Sequence, residues 1–408
     1  MSVLHSSLNL NDLVYLGSTP ASTAIQRNLR KFYPEKTVYG ATEKMVIRLH
    51  GNQFVDMPNS SLRFQIKPVG SNLVFANSSV VNVFRRVRVV SPTGKVISDS
   101  INNNLLQRMN IKLERSFDNA FLVGPAYGHS SETDTILLDG TTYEFVVPMR
   151  FISPFWNNEQ LLPPVMSEDL IIEFYFENLT EVGKSAGAGA LTAYIISDPQ
   201  LIVDAVLMTD PIWKALHDMK DDIMVYEYLD YVHEEASLSI SSNKGEIRSS
   251  QPLSNALEAF TTLRNSDIVH SQIESSFQTV NIPMTSPNPI DQMEYRWGDV
   301  NLPQQPANGG PQIFNILLHA RGQLSSNRND DYSLSKTNFQ SVSNCYACYA
   351  VNLRTSKVFN NSGRELSNQN LLLCRFTHDR TPVTGLVDMF IKHVARIVIK
   401  GGVVDVER

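Results

Sequence analysis

The chain has 408 residues, of which 42% are hydrophobic and 19% charged, and this composition excludes a disordered chain. Its 35 basic and 41 acidic residues give a formal charge of -6, which argues against a surface built mainly to bind nucleic acid. Three cysteines are too few for a disulfide scaffold, and no apolar run approaches the roughly 20 residues that span a bilayer. Residues 1–17 lack the pattern of a signal peptide, so we expect synthesis in the cytoplasm.

The first half of the chain alternates apolar and polar residues, the pattern typical of β-strands. Leu62, Phe64 and Ile66 share one face of the clearest predicted strand. The other predicted strands of this half cover residues 45–49, 83–90, 95–97, 143–149, 170–176, 191–196 and 201–208. Ser91-Pro92-Thr93-Gly94 has the residues of a type I turn and predicts a hairpin, and a helix is predicted over residues 100–109.

The second half is again rich in predicted strands, which cover residues 313–318, 345–353, 371–376 and 387–399. Between the halves, Asp210-Pro211 resembles the N-cap and first residue of a helix, and apolar residues follow at helical spacing. The pattern predicts an all-β fold of two tandem jelly-roll β-sandwiches joined by a short helix-containing linker. The predicted divisions are an N-terminal arm (1–44), a first jelly roll (45–209), a linker helix (210–223) and a second jelly roll (224–408). Long irregular stretches are predicted at residues 117–141, 183–190 and 283–311.

Two short motifs could hold a phosphate or a metal, and for both an ordinary structural role is favoured. Gly183-Lys184-Ser185 resembles the end of a phosphate-binding loop, but Asn178 occupies the position of the first glycine and a strand follows instead of a helix. Cys345 and Cys348 have C-x-x-C spacing, but residues three apart on a strand face opposite sides. A second cysteine pair is also missing.

The candidate acid–base residues are equally unspecific. His393 interrupts an apolar strand face, which is typical of a core or interface residue, and His378-Asp379 lacks a nucleophile motif. Glu173 and Glu177 are predicted on the outward face of one strand, about 13 Å apart, which is too far for a glycosidase pair.

One dense basic cluster, formed by Arg85, Arg86 and Arg88, is predicted to be a polar face or subunit contact rather than a nucleic-acid site. No catalytic, cofactor-binding or metal-binding residue is therefore assigned, no cofactor is expected, and the chain is predicted not to be an enzyme.

The order of several segments resembles the double jelly-roll major capsid proteins of tailless icosahedral DNA viruses, above all those of polinton-like viruses and virophages. Phe54-Val55-Asp56-Met57-Pro58-Asn59-Ser60-Ser61-Leu62 is similar to the family's opening strand, and residues 79–97 are similar to its hairpin. Leu161-Leu162-Pro163 with residues 170–176, residues 193–208, and Val387-Asp388-Met389-Phe390 through residue 407 are similar to later strands. Residues 225–340 match least well.

The resemblance implies a structural protein of the virion. Such a chain would form a homotrimer with a pseudo-hexagonal outline, and neighbouring trimers would tile an icosahedral shell. The shell would enclose double-stranded DNA without binding it specifically, with a penton protein and minor capsid proteins as further partners. Residues 117–141 and 283–311 would be inter-subunit clasps or outer towers.

Two other functions stay open at this point. The first is a carbohydrate- or receptor-binding β-sandwich protein of a virion surface, for which Tyr295 and Trp297 would offer aromatic platforms. The second is a two-domain hydrolase, which needs a carboxylate pair that the sequence does not supply.

Overall fold

The computed structural model describes residues 25–51, 53–75, 79–114, 136–158, 160–186, 189–208, 224–238, 244–265, 290–308, 310–320, 348–355, 362–367, 369–378, 385–400 and 403–408. Most of these residues lie in β-strands, as the alternation predicts. None of the helices within these ranges is long and apolar enough to cross a lipid bilayer.

Twelve strands belong to the first half of the chain. They are β1 (Ile25–Phe32), β2 (Val38–Tyr39), β3 (Lys44–Arg48), β4 (Phe54–Val69), β5 (Leu73–Phe75), β6 (Phe84–Val90), β7 (Val96–Ser100), β8 (Ile136–Leu137), β9 (Tyr143–Pro148), β10 (Ile171–Phe176), β11 (Gly183–Ser185) and β12 (Ala193–Met208).

These strands form one β-sandwich. One sheet has the order β1-β12-β4-β9, with β2 also paired to β12, and the other has the order β3-β10-β6-β7. A small third sheet has the order β11-β5-β8. Leu62, Phe64 and Ile66 are buried between the two main sheets while the residues between them are partly exposed, so the predicted alternation is confirmed.

The hairpin predicted at Ser91-Pro92-Thr93-Gly94 is confirmed, since it joins β6 to β7 and Gly94 N–H donates to Ser91 O at 2.9 Å. The strands predicted at 191–196 and 201–208 are both observed, as the two ends of one continuous strand, β12. Asp198 has a positive φ of 49° and the pairing with β4 shifts between Ser197 and Gln200. A bulge therefore accommodates Pro199, which has no N–H to donate, without ending the strand.

Ten strands form the second half. They are β13 (Met224–Leu238), β14 (Lys244–Arg248), β15 (Leu253–Asn265), β16 (Ile290–Trp297), β17 (Val300–Asn308), β18 (Cys348–Asn352), β19 (Arg364–Leu366), β20 (Leu372–His378), β21 (Gly385–Lys400) and β22 (Val403–Glu407).

The second sandwich also consists of two sheets. One has the order β13-β21-β15-β18, with β19 paired to β15 and β22 to β21, and the other has the order β14-β20-β16-β17. Strand β21 confirms the long strand predicted over residues 387–399, and its apolar face is buried along its whole length. The fold class predicted from the alternation, two tandem all-β sandwiches, is therefore observed.

The described helices are few and short. They are α1 (Asn103–Glu114), α2 (Pro164–Ser167), α3 (Leu179–Val182) and α4 (Gly310–Ala320), with 3₁₀ turns at Val80–Val83, Met149–Phe151 and Pro154–Trp156. Helix α1 confirms the helix predicted near residues 100–109, with a later start and end.

The strand predicted at residues 313–318 was wrong, because these residues lie in α4. Ile313, Leu317 and Ala320 are buried and recur at helical spacing. The apolar run is short, so its period alone could not separate a strand from a helix. Pro311 at the start of the run is the residue that favours a helix.

The prediction of an irregular stretch at residues 283–311 was also wrong for its described part, where β16 and β17 form a hairpin. Pro303 and Pro306 lie on β17, which is the edge strand of its sheet. An edge strand tolerates proline, because its outer N–H groups need no partner.

Part of the predicted N-terminal arm forms strands of the first sandwich. Residues 25–44 of the predicted arm include β1 and β2, and both strands pair with β12 of the first sandwich. The predicted linker helix at 210–223 and most of the predicted loop at 117–141 lie outside the described residues. The division at 45–209 and 224–408 stays a prediction.

Candidate assembly surfaces and the seam between the sandwiches

Gly183-Lys184-Ser185 forms strand β11, which pairs with β5. Gly183 packs so closely against β5 that a Cβ atom would lie 2.1 Å from the Val74 carbonyl oxygen. The glycine is thus needed for strand packing, and the sequence motif has a structural explanation.

Gly183→Ala is expected to lower the free energy of unfolding by about 1–3 kcal/mol, because the added methyl group overpacks the contact between two strands. Gly40→Ala is the matched control, since a Cβ at Gly40 would meet no atom within 4 Å. Thermal unfolding of both variants measures the difference, and equal melting temperatures would contradict the packing argument.

The cysteine and histidine candidates do not form a described cluster. Cys345 and Asp379 lie outside the described residues, Cys348 begins β18, and His378 ends β20. His393 lies fully buried on β21, as a core residue would, and neither ring nitrogen has a hydrogen-bond partner within the described ranges.

The prediction that Glu173 and Glu177 share an outward strand face was wrong for Glu177. Strand β10 ends at Phe176, and Glu177 is buried. Its carboxylate accepts hydrogen bonds from Asn104 Nδ2 at 3.0 Å and Asn178 N at 2.9 Å. Glu177 thus anchors α1 and the start of α3 to the end of β10.

Two arginines of the cluster form ion pairs within the chain. Arg86 makes a bidentate pair with Asp99 across the β6–β7 hairpin, and Arg88 Nη1 lies 3.4 Å from Glu173 Oε2. Arg85 is exposed. The pairing fits the predicted polar face better than a phosphate-binding surface.

The two aromatic residues considered as sugar platforms make contacts within the second sandwich. Tyr295 is fully buried, and its hydroxyl donates to the Tyr349 carbonyl oxygen at 2.9 Å. Trp297 Nε1 donates to the Glu365 carbonyl oxygen at 2.9 Å, and the Arg364 guanidinium stacks on its ring. Neither ring offers a free flat face of the kind that binds sugars.

The two sandwiches meet at an apolar seam, which we define by β7 and the 3₁₀ turn Pro154–Trp156 on one side and β13 on the other. The Phe155 and Tyr228 rings make an edge-to-face contact with centroids 5.2 Å apart. The core cluster of the first sandwich also includes residues of the second half, namely Tyr226, Tyr228, Ala395, Ile397, Ile399 and Val404. The two sandwiches therefore share buried surface as parts of one body do.

Polar groups inside the seam fix its register. Tyr228 Oη donates to the Ile97 carbonyl oxygen at 2.6 Å, and Ser98 Oγ donates to Asp230 Oδ1 at 2.9 Å. Asn158 Nδ2 donates to the Glu227 carbonyl oxygen at 2.8 Å. Buried hydrogen bonds of this kind specify one arrangement, because any shift would leave a polar atom unpaired.

Two buried titratable groups lie directly opposite each other on β13 and β21. Burial raises the pKa of Asp230 to about 6, against hydrogen bonds from Tyr231 N–H and Ser98 that favour its charged form. Burial also lowers the pKa of His393 to about 4, and the positive charge of Arg408 acts in the same direction. The sequence indicates that His393 is a core residue but not which strand lies beside it, since cross-strand register is not visible in a sequence.

Exposed apolar side chains lie at both edges of the β1-β12-β4-β9 sheet. Leu29 is 72% exposed on β1, and Tyr33 and Val38 are exposed just after it. Val146 is 38% exposed on β9, at the opposite edge. The two edges of this sheet, which we call the β1 edge and the β9 edge, thus differ in sequence and each exposes apolar side chains among polar ones.

The three-dimensional arrangement matches solved structures over nearly the whole chain. The PBCV-1 protein VP54, fitted into a cryo-EM reconstruction of the virophage Sputnik, superposes with a TM-score of 0.66 at 11% identity, covering 94% of this chain and 97% of that one. The chain has the double jelly-roll fold.

Two viral major capsid proteins share this double jelly roll. The Faustovirus major capsid protein matches with a TM-score of 0.63 at 9% identity, over 95% of this chain and 92% of that one. The mavirus major capsid protein matches with a TM-score of 0.54 at 10% identity, over 100% and 95%. No protein-family model matches the sequence of this chain, and neither does any curated protein sequence.

Proposed function

We propose that this double jelly roll is a major capsid protein, which trimerises into pseudo-hexameric capsomers that tile an icosahedral shell around a DNA genome. The observation that carries the proposal is the likeness to two viral major capsid proteins over at least 95% of the chain. The likeness includes both sandwiches and their order, whereas a shared single sandwich would fit many functions.

The seam supports this function physically. A capsomer built from the six sandwiches of three chains needs the two sandwiches of each chain to keep one relative orientation. Two contacts hold the sandwiches together. They are the apolar contact between Phe155 and Tyr228 and the buried hydrogen bond from Ser98 to Asp230. The protein would then act as a rigid building block, with assembly energy spent on contacts between chains.

The two different edges of this sheet support a ring. A closed trimer is built from heterologous contacts, in which one surface of a chain meets a different surface of the next. The β1 edge and the β9 edge are such a pair of different surfaces on opposite sides of one sheet. We assign the contact within the trimer to these edges, and contacts with other trimers, a penton protein and minor proteins to other parts of the surface.

This function places the protein in the virion, with DNA enclosed rather than specifically bound and with synthesis in the cytoplasm. The internal pairing of Arg86 and Arg88 agrees with the absence of a specific DNA contact at that cluster. It also makes the protein a structural component and not an enzyme.

The native mass of the full chain tests the proposal. Light scattering on a sizing column is expected to give about 137 kDa, three times the 45.8 kDa of one chain. Leu29→Asp, which sets a charge on the β1 edge, is expected to shift the protein toward 45.8 kDa. Val300→Asp is the control, because Val300 is similarly apolar and exposed but lies on the second sandwich.

The outcomes separate the two parts of the proposal. A wild-type protein that stays at 45.8 kDa at every concentration and in the presence of its own virion proteins would contradict the capsomer. A wild-type trimer that Leu29→Asp leaves intact would contradict the assignment of the β1 edge.

A further inference from the structure

A cavity of about 420 Å³ opens on the outer face of the sheet β14-β20-β16-β17 in the second sandwich. This volume lies within the range of about 300–1,000 Å³ that is usual for small-molecule sites. Three neighbouring strands contribute its polar side chains, which are Lys244, Glu246, Gln292, Glu294, Arg375 and Thr377. We propose that this cavity binds a neutral oligosaccharide.

Strand register arranges the six polar side chains in two rows across the sheet. The rows are Lys244, Thr377 and Gln292, and Glu246, Arg375 and Glu294. Neighbouring strands lie about 4.8 Å apart, and residues two apart on a strand lie about 6.5 Å apart. One sugar unit placed between the rows can therefore contact polar groups of both.

The floor of the cavity leaves the space between the rows open. Gly245 and Phe376 lie opposite each other there, and both face the core. Gly245 has no side chain, and the Phe376 ring stacks on Tyr349 inside the sandwich.

One end of the lining is held in place before any ligand binds. Arg375 Nε donates to Glu246 Oε2 at 3.0 Å, and Arg248 Nη2 lies 3.5 Å from Glu246 Oε1. Cations therefore lie beside both oxygens of the Glu246 carboxylate. Because these side chains are already ordered, a ligand loses less entropy in binding to them.

The strand on the other side of the cavity keeps unused hydrogen-bonding capacity. Glu294 Oε1 is 3.9 Å from Arg375 Nη1, which is beyond hydrogen-bond distance. The side chains of Gln292 and Thr377 make no hydrogen bond to any other described residue. These three side chains are available to a ligand.

The chemistry of the lining selects the class of ligand. Carboxylates only accept hydrogen bonds, guanidinium and ammonium groups only donate them, and amides and hydroxyls do both. A ligand with many hydroxyl groups satisfies all of them, because each hydroxyl donates and accepts.

The charges of the lining favour a ligand without charge. Two carboxylates, from Glu246 and Glu294, are balanced by two cations, from Lys244 and Arg375. An acidic sugar would meet the two carboxylates, and an amino sugar would meet the two cations. A neutral sugar meets neither repulsion.

The test applies the labelled full-length protein in a dilution series to an array of neutral, sialylated and sulfated oligosaccharides. Neutral oligosaccharides are expected to bind at least tenfold more tightly than their sialylated or sulfated forms. Glu294→Gln and Thr377→Val, which keep the size of the side chain, are each expected to weaken this binding about tenfold or more, since each removes a hydrogen bond to the ligand.

Glu365→Gln is the matched control, because Glu365 is an exposed carboxylate of the same sandwich outside the cavity. It is expected to bind as the wild type does, and melting temperatures check that all three variants fold. No binding of neutral oligosaccharides by the wild type would overturn the site, as would wild-type affinity in both cavity variants. Tighter binding of acidic oligosaccharides would overturn the ligand class, and none of these results bears on assembly.

Discussion

Phe155→Ala is expected to lower the free energy of unfolding by about 3–5 kcal/mol, the usual cost of removing a buried phenylalanine ring. Phe155 is fully buried in the 3₁₀ turn Pro154–Trp156 and packs edge-to-face on Tyr228 of the second sandwich. The cavity would therefore open at the seam and weaken the contact between the two sandwiches. Urea unfolding followed by circular dichroism measures the loss.

A second readout distinguishes the seam from an ordinary core position. Phe64→Ala also removes a buried ring, but Phe64 packs on Phe84 and Phe145 within the first sandwich. Hydrogen exchange in β13 is expected to accelerate in Phe155→Ala and to stay close to wild type in Phe64→Ala. If the β13 amides were equally protected in both variants, the two sandwiches would not be coupled through Phe155.

Asp230→Asn is expected to raise stability at pH 7 by up to about 3 kcal/mol and to leave it unchanged near pH 4. The pKa of Asp230 is raised to about 6 in the folded protein, from an ordinary value of 3.8. The folded state thus holds this proton more tightly than the unfolded state, so the wild type loses stability as pH rises from about 4 to 6. The asparagine keeps an oxygen that can accept the bond from Ser98 and has no charge to bury.

His393 makes the pH profile of this variant informative. Its pKa is lowered to about 4 from 6.5, so its contribution to stability is lost as pH falls from 6.5 to 4. In the wild type, protonation of Asp230 raises the stability of the folded state as pH falls over much of the same range, so the two effects largely cancel. Asp230→Asn removes the gain, so its stability is expected to fall steeply between pH 6.5 and 4, while the wild-type curve stays flatter.

Urea unfolding at one-unit steps from pH 4 to pH 8 measures both curves. Asp405→Asn is the control, because Asp405 is an exposed carboxylate that also joins the two halves of the chain, through its ion pair with Lys95. Its pKa is lowered by the hydrogen bond from Lys95, so that variant is expected to lose a little stability above pH 4 instead of gaining it. Parallel curves for the wild type and Asp230→Asn would show that Asp230 does not titrate as its burial implies.

The sequence predicts the fold wherever one face of a strand is buried and the other is not. The alternation around Leu62 and along β21 is of this kind, and both strands were placed correctly. The apolar run at 313–318 is too short to distinguish between periods of two and 3.6, and the helix α4 was missed.

The seam depends on information that a single sequence does not hold. Asp230 and His393 are far apart in the chain, and only the register of β13 with β21 brings them together.

The shared core at the seam has a consequence for synthesis on the ribosome. Ile397, Ile399 and Val404 complete the apolar cluster of the first sandwich, although the last strand of that sandwich ends at Met208. At about 5–20 residues per second, translation from residue 208 to residue 404 takes roughly 10–40 s. During that interval the nascent first sandwich exposes apolar groups such as Phe155, so we expect it to require protection by chaperones until the second sandwich has emerged.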